Sequence, residues 1–178
     1  MSRWEVRLCI DDFDKSKIIR DNTFSLVEVK NKSFRIRDYE KDIKHICKSI
    51  NNRLEDWDGK PSLQVAKERL NTISNIFLFY HPLESKAIGW GWYTECMTHD
   101  WINTHHQLPT TNSCYAGGMY IRKDINLPPT SGEQLYYHVL SNLLCRYKWV
   151  YGYADSWNRP SIYLANRCRF TPYNFIKE

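Results

Sequence analysis

From Cys114 to Ala154 the chain reads CYAGGMYIRKDINLPPTSGEQLYYHVLSNLLCRYKWVYGYA. Cys114 to Arg122 has strand composition with Gly117-Gly118 in its middle, and paired glycines there predict a bulge or a place where a ligand approaches the backbone closely. After the turn at Pro128-Pro129-Thr130-Ser131-Gly132, the apolar residues Leu135, Val139, Leu140, Leu143 and Leu144 recur at i, i+4, i+5, i+8 and i+9. That spacing predicts an amphipathic helix, the strongest in the chain. Trp149 to Ala154 is then a further apolar run of strand length. The turn itself, Thr130-Ser131-Gly132-Glu133-Gln134, has two readings. First-turn N–H groups and the positive end of the helix dipole make it a candidate anion site. The same residues also suit a cap, with Thr130 or Ser131 bonding the first-turn amides and Glu133 completing a box with Thr130.

Upstream, Asn75 to Tyr80 and Ala87 to Tyr93 flank the turn at His81 to Ser85 and read as antiparallel partners. Residues 96–112 are polar and read as an inserted loop. Ser33 to Tyr39 alternates as a strand, and Ile43 to Ile50 and Pro61 to Ile73 carry helical spacing. Two further alternating runs, Trp4 to Ile10 and Phe24 to Val29, predict an N-terminal hairpin-like extension over residues 1–32, ahead of a main domain over 33–178. Downstream, Arg159 to Arg167 behind Pro160 reads as a short helix and Phe170 to Ile176 as a closing strand. Strands and helices alternate throughout, without repeats or linkers, which predicts one α/β domain with a mixed sheet.

Composition narrows the class. The 178 residues are 42% hydrophobic and 25% charged, with Lys+Arg 25 against Asp+Glu 20 for a formal charge of +5. Such a chain buries a core of its own and is neither disordered nor collagen-like. No run approaches the ~18 apolar residues of a membrane span, and Arg3, Glu5 and Arg7 stand where a signal peptide needs an apolar stretch. A soluble, cytoplasmic protein without a membrane partner is expected. The 6 cysteines are scattered singly, so no C-x-x-C pair suggests zinc or redox chemistry. His99, Asp100, His105 and His106 crowd the inserted loop, but their spacing matches no standard metal pattern.

The element order from about Ser33, with the turn at Gly132 and the tail Asn158-Arg159-Pro160-Ser161-Ile162-Tyr163-Leu164 ending at Phe170, resembles the GCN5-related N-acetyltransferase (GNAT) superfamily. The resemblance implies a GNAT-like mixed, mostly antiparallel central sheet flanked by helices. It also implies N-acyltransferase activity, with acetyl-CoA or another acyl-CoA as donor and a small-molecule or protein amine as acceptor. Met119 and Ile121 would border the pantetheine arm. Thr130, Ser131, Gly132, Glu133 and Gln134 would take the pyrophosphate, and Asn158 and Ser161 match the tail motif. Departures are clear: the pyrophosphate motif keeps only Gly132, the customary general-acid Tyr falls on Ala165, and the customary Glu falls on Gly117-Gly118. Replacement chemistry is assigned to Tyr163 as proton donor and to Asp155 after the strand Val150 to Ala154. Glu95, at the end of Ala87 to Tyr93, or a histidine of the inserted loop is the candidate base.

A second resemblance covers the C-terminal third. Met119-Tyr120-Ile121-Arg122, Gly152-Tyr153-Ala154-Asp155 and Ile162-Tyr163-Leu164-Ala165-Asn166 are similar to the phage Mom enzymes, GNAT-like proteins that modify adenine in DNA. This implies nucleic acid as an alternative partner, held by a basic rim at Arg146, Lys148, Arg159, Arg167 and Arg169 and by aromatic stacking on an extruded base. A third alternative is a catalytically inactive GNAT-fold module.

Overall fold

The computed structural model describes residues 2–17, 24–30, 41–42, 75–95, 111–121 and 125–177. They contain the strands β1 (Ser2–Cys9), β2 (Ser25–Val29), β3 (Asn75–Tyr80), β4 (Gly89–Glu95), β5 (Ser113–Ile121), β6 (Trp149–Asp155) and β7 (Thr171–Lys177), and the helices α1 (Ser131–Leu144) and α2 (Arg159–Arg167). Two compact units divide the chain, one built from Met1–Arg20, Glu95–Gly117 and Glu133–Glu178, the other from Asp21–Thr94 and Gly118–Gly132.

In the first unit β5 and β6 run parallel, and their register, Ser113↔Trp149 to Tyr115↔Tyr151, ends after three pairs. β6 pairs antiparallel with β1 along its whole length, from Arg3↔Asp155 to Cys9↔Trp149. β1 pairs antiparallel with β7, with a shift between Glu5 and Val6 that leaves Tyr173 as the extra residue of a bulge. Register partners share a face. Val6, Leu8, Cys114 and Val150 therefore make one apolar, buried face. The other face carries Glu5, Arg7, Tyr115, Tyr151 and Tyr153. Gly152 lies on the apolar face, where an added Cβ would sit 3.2 Å from the Ala116 carbonyl oxygen and 3.9 Å from Val6 Cγ2. A side chain there would push β5 and β6 apart.

The second unit pairs β2 with β3 and β3 with β4, both antiparallel. Gly89 and Gly91 stand opposite Phe79 and Phe77, so the missing side chains make room for two rings that are fully buried. The reverse face holds Ile76, Leu78, Trp90 and Trp92, all buried. Asp42 closes the turn between these strands, accepting hydrogen bonds from the Tyr80 hydroxyl at 2.9 Å and the Ala87 N–H at 3.2 Å. The Tyr93 ring stacks on Phe77 at 5.2 Å and its hydroxyl donates to Glu28.

The expected strands at 75–80, 87–93 and 149–154 and the helices at Leu135 to Leu144 and Arg159 to Arg167 are present within a residue or two. Leu135, Leu140, Leu143 and Leu144, the apolar stripe of α1, are all buried. One expectation is overturned: β1 and β2 do not pair with each other. β1 lies between β6 and β7 while β2 lies on β3, because both faces of β1 carry buried residues that an isolated hairpin has no means of covering. The expected strand at Ser33 to Tyr39, the helical runs at 43–50 and 61–73 and the loop at 96–110 lie outside the described residues. No helix among the described residues is long and apolar enough to cross a membrane.

Candidate functional site

The first turn of α1 is built by a tight approach: the Ser131 N–H donates to the Pro128 carbonyl at 2.9 Å. That bond uses one of the four N–H groups a helix start leaves without an internal acceptor. The side chain of Ser131 is buried at 3% exposure, yet its Oγ meets no hydrogen-bond partner among the described residues. Burying a hydroxyl without a partner costs about 1–3 kcal/mol. Beside it, a Cβ on Gly132 would meet Ile121 Cδ1 at 3.8 Å. That is an ordinary contact, so packing among the described residues does not require a glycine there. Met119 and Ile121 on β5 are both half-buried, and Thr130 is exposed.

Glu133 does not close a capping box with Thr130. Its Oε1 instead receives Arg167 through Nη2 at 3.2 Å and Nε at 3.3 Å, a bidentate tie between α1 and α2. Gln134 is half-buried. Asn158 caps α2, its side chain accepting the Ser161 N–H at 3.3 Å, and Pro160 follows in the first turn. Asn158 and Ser161 are thus each other's partners, which is how the tail motif builds its helix locally.

Asp155 ends β6 with its side chain buried at 3% exposure, and its carbonyl accepts the Asn158 N–H at 2.9 Å. Tyr163 on α2 is 58% exposed, and two residues on, Ala165 is buried where the resemblance would put a tyrosine. Glu95 stands apart from these. It accepts the Tyr147 hydroxyl at 3.4 Å, just ahead of β6, whereas Asp155 closes that strand and α2 follows it. Trp149 to Asp155 spans about 20 Å at ~3.3 Å per residue. Glu95 and Asp155 therefore stand near opposite ends of β6. Burial, reinforced by the Glu95 carboxylate, pushes the Tyr147 hydroxyl up to about 12.

The basic rim expected for nucleic acid is largely engaged within the chain. Arg167 holds Glu133, and Arg169 lies 3.6 Å from Asp14, whose carboxyl is held below the usual range chiefly by the Ser16 hydroxyl. Arg146 bonds Asn142 at 2.7 Å and lies over the Tyr147 ring at 5.7 Å. Glu5, on the other hand, is a residue that sequence reasoning missed: a carboxylate at 0% exposure in a strand whose alternation assigned it to solvent.

No protein-family model matches the sequence, and no curated protein matches it. Solved structures do match. A tandem GNAT protein from the clavulanic acid biosynthesis pathway aligns over 98% of this chain and 51% of its own, at TM-score 0.60 and 13% identity. A putative GNAT-family acetyltransferase from Novosphingobium aromaticivorans aligns over 98% and 62%, at TM-score 0.56 and 10% identity. An aminoglycoside N-acetyltransferase solved with CoA aligns over 87% of this chain and 93% of its own, at TM-score 0.56 and 16% identity. The chain spans about half to three-fifths of the length of the tandem and Novosphingobium proteins. With its mostly antiparallel strands, the parallel pair β5 and β6 and the helix between them, this chain has the fold of the GNAT acetyltransferases.

Proposed function

We propose that the protein transfers an acyl group from an acyl-coenzyme A to an amine. The observation that carries this reading is the buried Ser131 Oγ at the first turn of α1, which has no partner among the described residues, beside a glycine that packing among those residues does not demand. A pyrophosphate accepting the Ser131 hydroxyl and the remaining first-turn amides would satisfy that atom, and the helix dipole favours the negative charge. Ser131 and Gly132 are the residues proposed to hold it, with Met119 and Ile121 of the same unit beside the pantetheine arm. Glu133 contributes its backbone only, since its carboxylate is tied to Arg167. The coenzyme supplies an acyl group activated as a thioester. Tyr163, which is exposed, is the proposed proton donor, and Asp155 the proposed carboxylate of the same unit. The fold neighbours solved with CoA and with the aminoglycoside sisomicin support an amine as the acceptor class.

The direct test is to incubate the protein with acetyl-CoA and a panel of mono- and polyamines, following thiol release and the mass of the amine. Thiol release matched by a gain of one acetyl group on an amine is expected. Thiol release without an acylated amine, or none at all across the panel, argues against transfer.

A further inference from the structure

Arg7 lies on β1, half-buried on the face of the strand opposite to Val6 and Leu8. Its guanidinium lies over the Trp149 ring at 5.2 Å and over the Tyr173 ring at 6.0 Å. Both rings are braced by Tyr151, the register partner of Arg7 on β6. Trp149 stacks with it at 6.5 Å and Tyr173 meets it edge-on at 6.0 Å. Tyr151 itself is fully buried. These rings therefore form a packed frame that fixes where the guanidinium sits, and all of it belongs to one compact unit.

Ring faces engage the charge and the flat face of a guanidinium, but its N–H donors lie in its plane and ask for acceptors. Among the described residues nothing accepts from Arg7 and no carboxylate pairs with it. Drawing a cation out of water without a counter-charge is costly. Other arginines of this unit are used differently: Arg167 holds Glu133, Arg169 lies beside Asp14 and Arg146 bonds Asn142. Across from Arg7 on the β7 side is Thr171, which is exposed. Directly paired positions bring Cβ atoms within ~4.5–5.5 Å on one face, so the Thr171 hydroxyl supplies a further donor at the same place.

We propose that Arg7, with Thr171, is a binding site for a carboxylate, carried by a small acid or by the side chains of an acidic peptide. The guanidinium presents a rigid fork that matches the two oxygens of a carboxylate, each accepting an N–H. A planar carboxylate lies in the plane of that fork, alongside the same rings that cover its faces, whereas a tetrahedral phosphate puts oxygens out of that plane and against the rings. The site lies toward the start of β6, away from Asp155 at its end, and it stands independently of the acyl-transfer reading.

The test is a titration of the full chain followed by NMR of the arginine Nε–H groups, assigned through their own side-chain connectivities. The probes are acetate, inorganic phosphate and a capped peptide of glutamate and serine. A saturable shift of the Arg7 Nε–H with acetate or with the peptide is expected, the tighter of the two naming the source. Arg7→Lys, which keeps the charge and loses the fork, should bind roughly tenfold more weakly. Lys148→Ala, which removes an exposed charge next to Trp149 in the sequence, should bind as the wild type does. Should Arg7→Lys fail to fold, the wild-type and Lys148→Ala titrations decide by themselves, because the shift is read at Arg7 directly. No shift at Arg7, equal affinity in the wild type and Arg7→Lys, an equal loss in Lys148→Ala, or tighter binding of phosphate than of acetate would each overturn the assignment.

Discussion

At the scale of single residues, burial sets the titration of this protein. The Cys168 thiol is 1% exposed and burial pushes it up to about 12, while the Tyr137 and Tyr147 hydroxyls are also pushed up to about 12, again chiefly by burial. Each group holds its proton more tightly folded than unfolded. Stability from them is therefore fully present below the unfolded values, near 9 for the thiol and 10 for the phenols, and is lost as pH climbs through the folded ones. The melting temperature is expected to fall between pH 9 and 12, and Cys168→Ala should flatten the onset near pH 9. A melting curve flat across that range for the wild type would mean that these groups are not held as described. Glu5 shows why one residue escaped the sequence. In Trp4-Glu5-Val6-Arg7-Leu8 the period of two assigns Val6 and Leu8 inward and Glu5 outward. That inference holds only for a strand with one wet face, and β1 has neighbours on both edges and buried residues on both faces.

At the scale of elements, local chemistry made most of the fold legible. The stripe Leu135 to Leu144 announced α1, and the run Asn158, Pro160, Ser161 announced α2 because a cap and a first-turn proline are encoded within four residues. Strand pairing was less legible, since which strand β1 joins depends on residues some 150 positions away in sequence, as the register Arg3↔Asp155 shows. A close approach of β5 and β6 lies at Gly152, whose added Cβ would sit 3.2 Å from the Ala116 carbonyl oxygen. Gly152→Val should therefore destabilise the protein by about 1–3 kcal/mol, the usual cost of overpacking, read from urea midpoints with an unchanged slope. A variant as stable as the wild type would show that β5 and β6 are free to part at this position.

For the whole molecule, the resemblance read from the tail and the turn at Gly132 anticipated the fold, whereas the eroded pyrophosphate motif hid the site. With only Gly132 left of that motif, its function was not readable from residue types. What singles out the turn is a property of the folded chain, the burial of Ser131 Oγ without a partner, and no sequence pattern encodes that. Glu95 and Asp155, singled out from residue types, stand near opposite ends of β6. The account as a whole rests on coenzyme binding at the start of α1, which calorimetry with acetyl-CoA tests on the wild type and on Gly132→Val. The account predicts saturable binding to the wild type and binding at least tenfold weaker, about 1.4 kcal/mol, to the variant, whose Cβ meets Ile121 Cδ1 at an ordinary 3.8 Å. Equal affinity in the two proteins, or a wild type that gives no heat with acetyl-CoA at all, would contradict it.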